Sequence, residues 1–360
     1  MLTGGLIHLV HQLAVLEALP ESAASGGGSR CIAVLVTGVL TRDPLALSVL
    51  QEAIKRWFTL LRQHHPERYG HLVLIPEEAS LPEGPWHLCL LNNQWVVGQR
   101  SVIERLDLRD LVVCGDGLGL YYRCARELRA LLPSLLNRPI AEPGRRVRYV
   151  LSGPQPLWHR PPQPALGPSP AERTRLFGLL VDSQRREASA SVAPFLAAGD
   201  PSRPLWLCSV PNLAHQFPGR RIPTAVLEGW LAGLERRHGF DRLRDRLLLI
   251  DHPKAPPDGS FGAVERAWLV GPLRSMVALE VLVQVLLEAS PERRIVVAGL
   301  TSALYGVRQL TGVEVVWFAM APLWQGNPLY RRQPLEFVHR WLRRVRMARL
   351  TRGLEPGQLQ

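Results

Sequence analysis

A chain of 360 residues with 46 % hydrophobic and 21 % charged side chains is long enough for two hydrophobic cores and too apolar for a disordered segment, so two globular domains are expected. The formal charge of +12 calls for anionic partners such as a nucleotide, an acidic glycan or a phospholipid. Lys55 and Lys254 are the only lysines, so the charge is an arginine bias. The aromatics fall mostly in strand and helix cores rather than among the arginines, and nucleic-acid binding is not expected.

The five cysteines, Cys31, Cys89, Cys114, Cys124 and Cys208, form no CxxC pair. A disulfide framework and a zinc site are therefore not indicated, and a reducing compartment fits. No run supplies the roughly 20 apolar residues of a membrane helix. The apolar stretch Leu6–Leu19 carries His8, His11, Gln12 and Glu17 without a basic leader, so it does not read as a signal peptide. A cytoplasmic protein is expected.

Taken in chain order, Gly5–Ala18 shows helical spacing of Ile7, Val10 and Ala14. Cys31–Thr37 reads as a buried strand, Asp43–His64 as an amphipathic helix and His71–Ile75 as a strand. Trp86–Leu91 and Leu111–Cys114 continue the strands, and Tyr121–Leu136 is a helix. Nine prolines lie between Pro139 and Pro170, marking a connector. The alternation resumes with strands at Pro204–Val210, Arg246–Ile250, Ala267–Val270, Arg294–Ala298 and Val313–Phe318, and helices at Pro223–His238 and Val277–Leu287. Strands alternating with helices imply parallel sheets with right-handed crossovers. The expected organisation is a Rossmann-like domain over 1–150, a linker over 151–172, a second Rossmann-like domain over 173–330 and a basic tail over 331–360.

Functional groups in such sheets collect on loops past the carboxyl ends of strands, and three loops stand out. Gly115-Asp116-Gly117 follows the strand LVVC and exposes a carboxylate between glycines. Asp251-His252-Pro253 follows RLLLI, and the proline drives His252 into an extended conformation that aims its imidazole. Gly299, Thr301 and Ser302 follow RIVVA and open a helix, a natural anion site. In isolation each has a plainer alternative: an Asp in a turn, an incidental His-Pro pair, a simple helix cap.

In this order the motifs resemble those of the bacterial lipooligosaccharide sialyltransferase and capsular polysialyltransferase families, over most of the chain. GGLIHLVHQLAVLEAL is similar to their first helix, and AWLVGPLRSMVALEVL to their strand, proline and glutamate-bearing helix, here Glu280. The resemblance implies a GT-B fold, two Rossmann-like domains facing a central cleft. It implies transfer of sialic acid or a related nonulosonic acid from a CMP donor to a glycan or glycolipid acceptor. Asp116 would be the general base, and Gly117 its flanking glycine. His252 and Pro253 would meet the CMP phosphate and assist its departure. Gly299, Thr301 and Ser302 would hold that phosphate, and Glu280 would accept from the ribose hydroxyls. Neither a metal nor another cofactor is implied, in keeping with the lack of a DxD triplet.

Two positions depart from the family pattern: Gly115 replaces its first acidic residue, and at most Met1–Thr3 stands where its first strand belongs. A sheet lacking that strand is one consequence to test. A second enzyme reading is a GT-B transferase using a UDP- or GDP-sugar, and a third reading is a catalytically silent nucleotide- or glycan-binding protein. The tail Arg331–Arg352 puts Leu335, Val338, Leu342 and Val345 on one helical face among arginines. It suits either an anionic membrane surface or a terminal helix with a solvated basic face.

Overall fold

A computed structural model describes residues 1–19, 31–37, 44–92, 105–114, 170–198, 200–210, 221–252, 258–262, 266–299 and 303–318. It also describes the backbone of 146–150 and the isolated positions 99, 102, 103, 219, 255, 264 and 301. The chain divides into two compact units, Met1–Gln184 and Arg185–Gln360. Each is an α/β unit on a parallel sheet.

The first sheet contains β1 (Leu2–Thr3), β2 (Ile32–Val36), β3 (Leu72–Ile75), β4 (Trp86–Leu91), β5 (Leu108–Cys114) and β6 (Arg146–Val150). Their order is β3-β2-β1-β4-β5-β6, and every pairing is parallel. This is the doubly wound order of a dinucleotide-type fold. A strand does stand at the first-strand position, as the two residues Leu2–Thr3 between β2 and β4. Leu2 pairs with Leu35 on one side and Leu91 on the other.

So short a strand cannot close its own ladders, and side chains finish them. Gln12 on α1 (Leu6–Ala18) donates its Nε2 to the carbonyls of Leu2 (2.8 Å) and Leu90 (3.3 Å). Gln99 donates to Leu2 O (3.4 Å) and to Asn92 Oδ1. On one face Leu2, Leu35, Leu91, Val102, Ile103, Leu111 and Val113 form a continuous cluster. The helices add Leu9 and Leu13 from α1, and Ile54, Trp57, Phe58 and Leu61 from α2 (Pro44–His64), all buried. A short α3 (Pro66–Tyr69) follows α2, and the Tyr69 hydroxyl donates to Glu17 on α1 (3.1 Å).

α4 (Pro170–Ala198) is the longest helix described and lies in a stretch the sequence reading left without an element. Its signal is plain in retrospect. Leu176, Leu180, Gln184, Ala188 and Val192 recur every four residues and are all buried, the stripe of one helical face. Pro170 stands at its start, where a missing N–H costs nothing.

The second sheet contains β7 (Leu205–Ser209), β8 (Leu247–Asp251), β9 (Leu269–Arg274), β10 (Ile295–Gly299) and β11 (Glu314–Trp317), ordered β11-β10-β7-β8-β9 and parallel throughout. β7, β8 and β10 are buried at every residue, as strands covered on both faces must be. The connecting helices are α5 (Thr224–His238), α6 (Leu279–Ala289) and α7 (Ala303–Thr311). The expected elements 31–37, 43–64, 71–75, 86–91 and 223–238 match to within a residue or so. The helix expected at 121–136 and the tail 331–352 lie outside the described residues. No helix among the described residues is long and apolar enough to cross a membrane.

His11 on α1 is buried, and neither ring nitrogen has a hydrogen-bond partner. Burial first, then the positive charges of Arg173 and His8, lowers its pKa from 6.5 to about 3. The folded chain thus keeps His11 neutral, while the unfolded chain protonates it below 6.5. Its contribution to stability is present above that pH and is lost as pH falls from 6.5 toward 3. His11→Leu should therefore gain in Tm over the wild type as pH drops from 8 to 5. Thermal unfolding at both pH values checks this, and an unchanging gap contradicts it.

Candidate functional site

The winding of the second sheet reverses between β7 and β10, and ligands of open α/β sheets bind outside the carboxyl ends at such a point. Gly299 ends β10 opposite Ser209, the last residue of β7. A Cβ at 299 would stand well under 3 Å from the Ser209 carbonyl oxygen, so only glycine lets the two strand ends lie this close. Phe318 N donates to Gly299 O at 2.8 Å and fixes the other side. Gly299→Ala should destabilise the second unit by about 1–3 kcal/mol through backbone overpacking, read as a lower urea midpoint. An unchanged midpoint would remove the constraint.

Thr301 follows at once. Its Oγ1 accepts from Ala303 N (3.3 Å) and its carbonyl from Leu304 N (3.2 Å). The hydroxyl therefore caps α7 and still carries a proton of its own to donate. Capping and anion contact are compatible in the one side chain. Gly299 and Thr301 thus belong to a single β10–α7 turn.

Glu280 lies in the first turn of α6 and is 3 % exposed. Its carboxyl rests over α7: a Cβ at Gly306 would fall well under 3 Å from Oε1. Burial raises its pKa from 4.5 to about 7, opposed by a hydrogen bond from its own backbone N–H. No charged side chain figures among these influences. Because the folded pKa exceeds the unfolded one, the native state holds the extra proton between pH 4.5 and 7, and stability falls as pH rises through that window. The loss is on the order of 3 kcal/mol. Glu280→Gln should abolish it, so the wild type should lose more Tm than the variant between pH 5 and 8. Parallel profiles would show that the carboxyl is not buried in this way.

His252 follows β8, which borders β7 on the side away from β10. Two strand spacings, roughly 10 Å, separate the ends of β8 and β10. The half-buried His252 accepts at its carbonyl from Ala255 N (2.8 Å). Its neighbour Asp251 is a buried staple: Oδ2 accepts from Ser260 N at 2.9 Å and draws the following segment back to the strand. Gly259 makes the bend possible, with φ +87° and Asp251 Oδ2 and Pro272 Cγ both at about the contact limit of a Cβ. Beyond it Phe261 meets the Trp230 ring edge-on, and Trp230 stacks on Phe318 at 4.7 Å. The segments after β8 and β11 are thereby both pinned to α5.

The sequence reading thus finds Gly299, Thr301, Glu280 and His252 on the carboxyl-edge loops and helix starts of one sheet. Asp116, Gly117, Pro253 and Ser302 lie outside the described residues. Among the described residues no cluster of His, Cys, Asp and Glu is grouped to hold a metal. Two contributors went unnoticed: Ser209, whose carbonyl abuts Gly299, and Gly306. Asp251 enters the sequence reading only as the start of the Asp251-His252-Pro253 loop, and its carboxylate is structural. No family model, curated protein or solved structure matches the chain.

Proposed function

We propose that the chain is a GT-B transferase that moves sialic acid, or a related nonulosonic acid, from a CMP donor to a glycan. The observation that carries the reading is the gathering at the carboxyl edge of the second sheet: a glycine-tight β10–α7 turn bearing Thr301, a buried Glu280 carboxyl against the same helix, and His252 two strands away. These groups suit the three parts of a nucleoside monophosphate leaving group. A helix start with a hydroxyl suits the phosphate, a carboxyl suits the ribose diol, and an imidazole can give a proton to a departing phosphate oxygen.

In this mechanism the acceptor hydroxyl oxygen attacks the anomeric carbon of the donor sugar. The bond to the CMP phosphate oxygen breaks as the new glycosidic bond forms. Asp116 takes the hydroxyl proton, and His252, Thr301 and Ser302 receive the charge developing on the phosphate. A leaving monophosphate carries less charge than a diphosphate, so imidazole and helix-start donors can serve without a divalent cation. Gly115 beside Asp116 leaves one carboxylate where the resembled families have two. That observation favours a second reading, a nucleotide-binding protein without transfer.

Calorimetric titration with CMP, UDP and GDP in EDTA separates the readings. CMP should bind selectively, and His252→Ala should weaken it by about 1–3 kcal/mol, a charge-assisted hydrogen bond lost. Asp116→Asn should keep CMP affinity and abolish transfer from CMP-sialic acid. Preference for UDP or GDP would mean a different donor, and CMP binding without transfer by the wild type would favour the second reading.

A further inference from the structure

α5 carries two glycines one turn apart, Gly229 and Gly233, although glycine is the poorest helix former after proline. What they leave is an open groove between α5 and β11, lined by Gly229, Gly233 and Arg237 on the helix and by Val316, Trp317 and Phe318 on the strand side. Its volume is about 50 Å³. One water takes about 10–15 Å³ on this measure, so the groove accepts a single short side chain and excludes a nucleotide.

The two ends of the groove differ in character. At one, Trp230 stacks on Phe318. At the other, the Arg237 guanidinium folds back along α5, with Nη2 3.3 Å from where a Cβ at Gly233 would stand. Among the described residues neither Arg236 nor Arg237 forms an ion pair. Glu314, at the start of β11, is held by Arg294 at 2.6 Å and faces His238 at 3.9 Å.

β11 is also the edge strand of its sheet. Phe318 N donates inward to Gly299 O, so alternation turns the N–H and C=O groups of Val315 and Trp317 outward. A strand added to that edge would send every second side chain to the α5 face, as Phe318 is sent to Trp230. We infer that the β11–α5 groove docks an extended acidic segment of a partner protein, which adds a strand to β11 and sets one carboxylate against Arg237. Charge decides the occupant: Arg237, between Arg236 and His238, lacks a counter-ion within the described fold, and a basic segment would meet like charge.

The test is fluorescence anisotropy of the full chain with labelled octapeptides of alternating threonine and valine, carrying glutamate, glutamine or lysine at one central position. The wild type should bind the glutamate peptide about tenfold more tightly than the glutamine one, and added salt should shrink the difference. Arg237→Glu should invert the order, favouring lysine over glutamate. Gly229→Leu, at an exposed position, should raise Tm as a better helix former and abolish binding of all three by filling the groove.

Equal affinities in the wild type, or an order that Arg237→Glu leaves unchanged, would overturn the inference and leave Arg237 serving only the dipole of α5. Binding that survives Gly229→Leu would place the peptide elsewhere, and no binding of any peptide at millimolar concentration would remove strand addition altogether. Either result sinks the proposal.

Discussion

The second unit depends on how closely two parallel strands come together where they end. Gly299 lies against the Ser209 carbonyl with no room for a methyl group between them. Helix α7 begins four residues later. Because the strands are this tight, the α7 start projects directly from the sheet edge at the point where the winding reverses. A looser junction would need a longer turn, and Thr301 could not both cap the helix and stand at the mouth of the crevice. The position of α7 in turn sets Gly306, and Gly306 sets Glu280. One backbone contact thus governs a chain of placements ending in a buried acid.

The strand-end loops were legible because their signals are local. RIVVAGLTS and RLLLIDHP each place polar residues directly after an apolar run, and a parallel sheet leaves such residues nowhere to go but the carboxyl edge. The role of Asp251 was less so. Adjacent to His252 in sequence, it turns its carboxylate to Ser260 N, a partner nine residues away that no spacing rule singles out. The pairing of Glu280 with Gly306 is further removed still, since it joins two helices across β10. A glycine in a nine-residue helix looks like a weakness until the side chain occupying its missing volume is known.

The first sheet shows a different limit. Leu2–Thr3 carries too little pattern to announce a strand, and two residues do not sustain a ladder by backbone alone. The amides of Gln12 and Gln99 make up the deficit at Leu2 O, and neither glutamine advertises this in sequence. α4 was missed for the opposite reason. Its apolar stripe is regular, but the proline cluster before it and Pro194 within it pull a local reading toward irregular structure. Tertiary burial of Leu176, Leu180 and Phe195 overrides that signal.

The two-residue β1 also makes the first sheet a joint between two blocks. β2 and β3 share four register pairs, and β4 and β5 share five, whereas β1 offers two pairs to β2 and one to β4. The blocks on either side are the more extensively paired, and the centre is a seam stitched by two side-chain amides and the helix that follows. In native-state exchange, the amides of Leu35 and Thr37, which donate to Met1 O and Thr3 O, report the opening of that seam rather than the unfolding of the sheet.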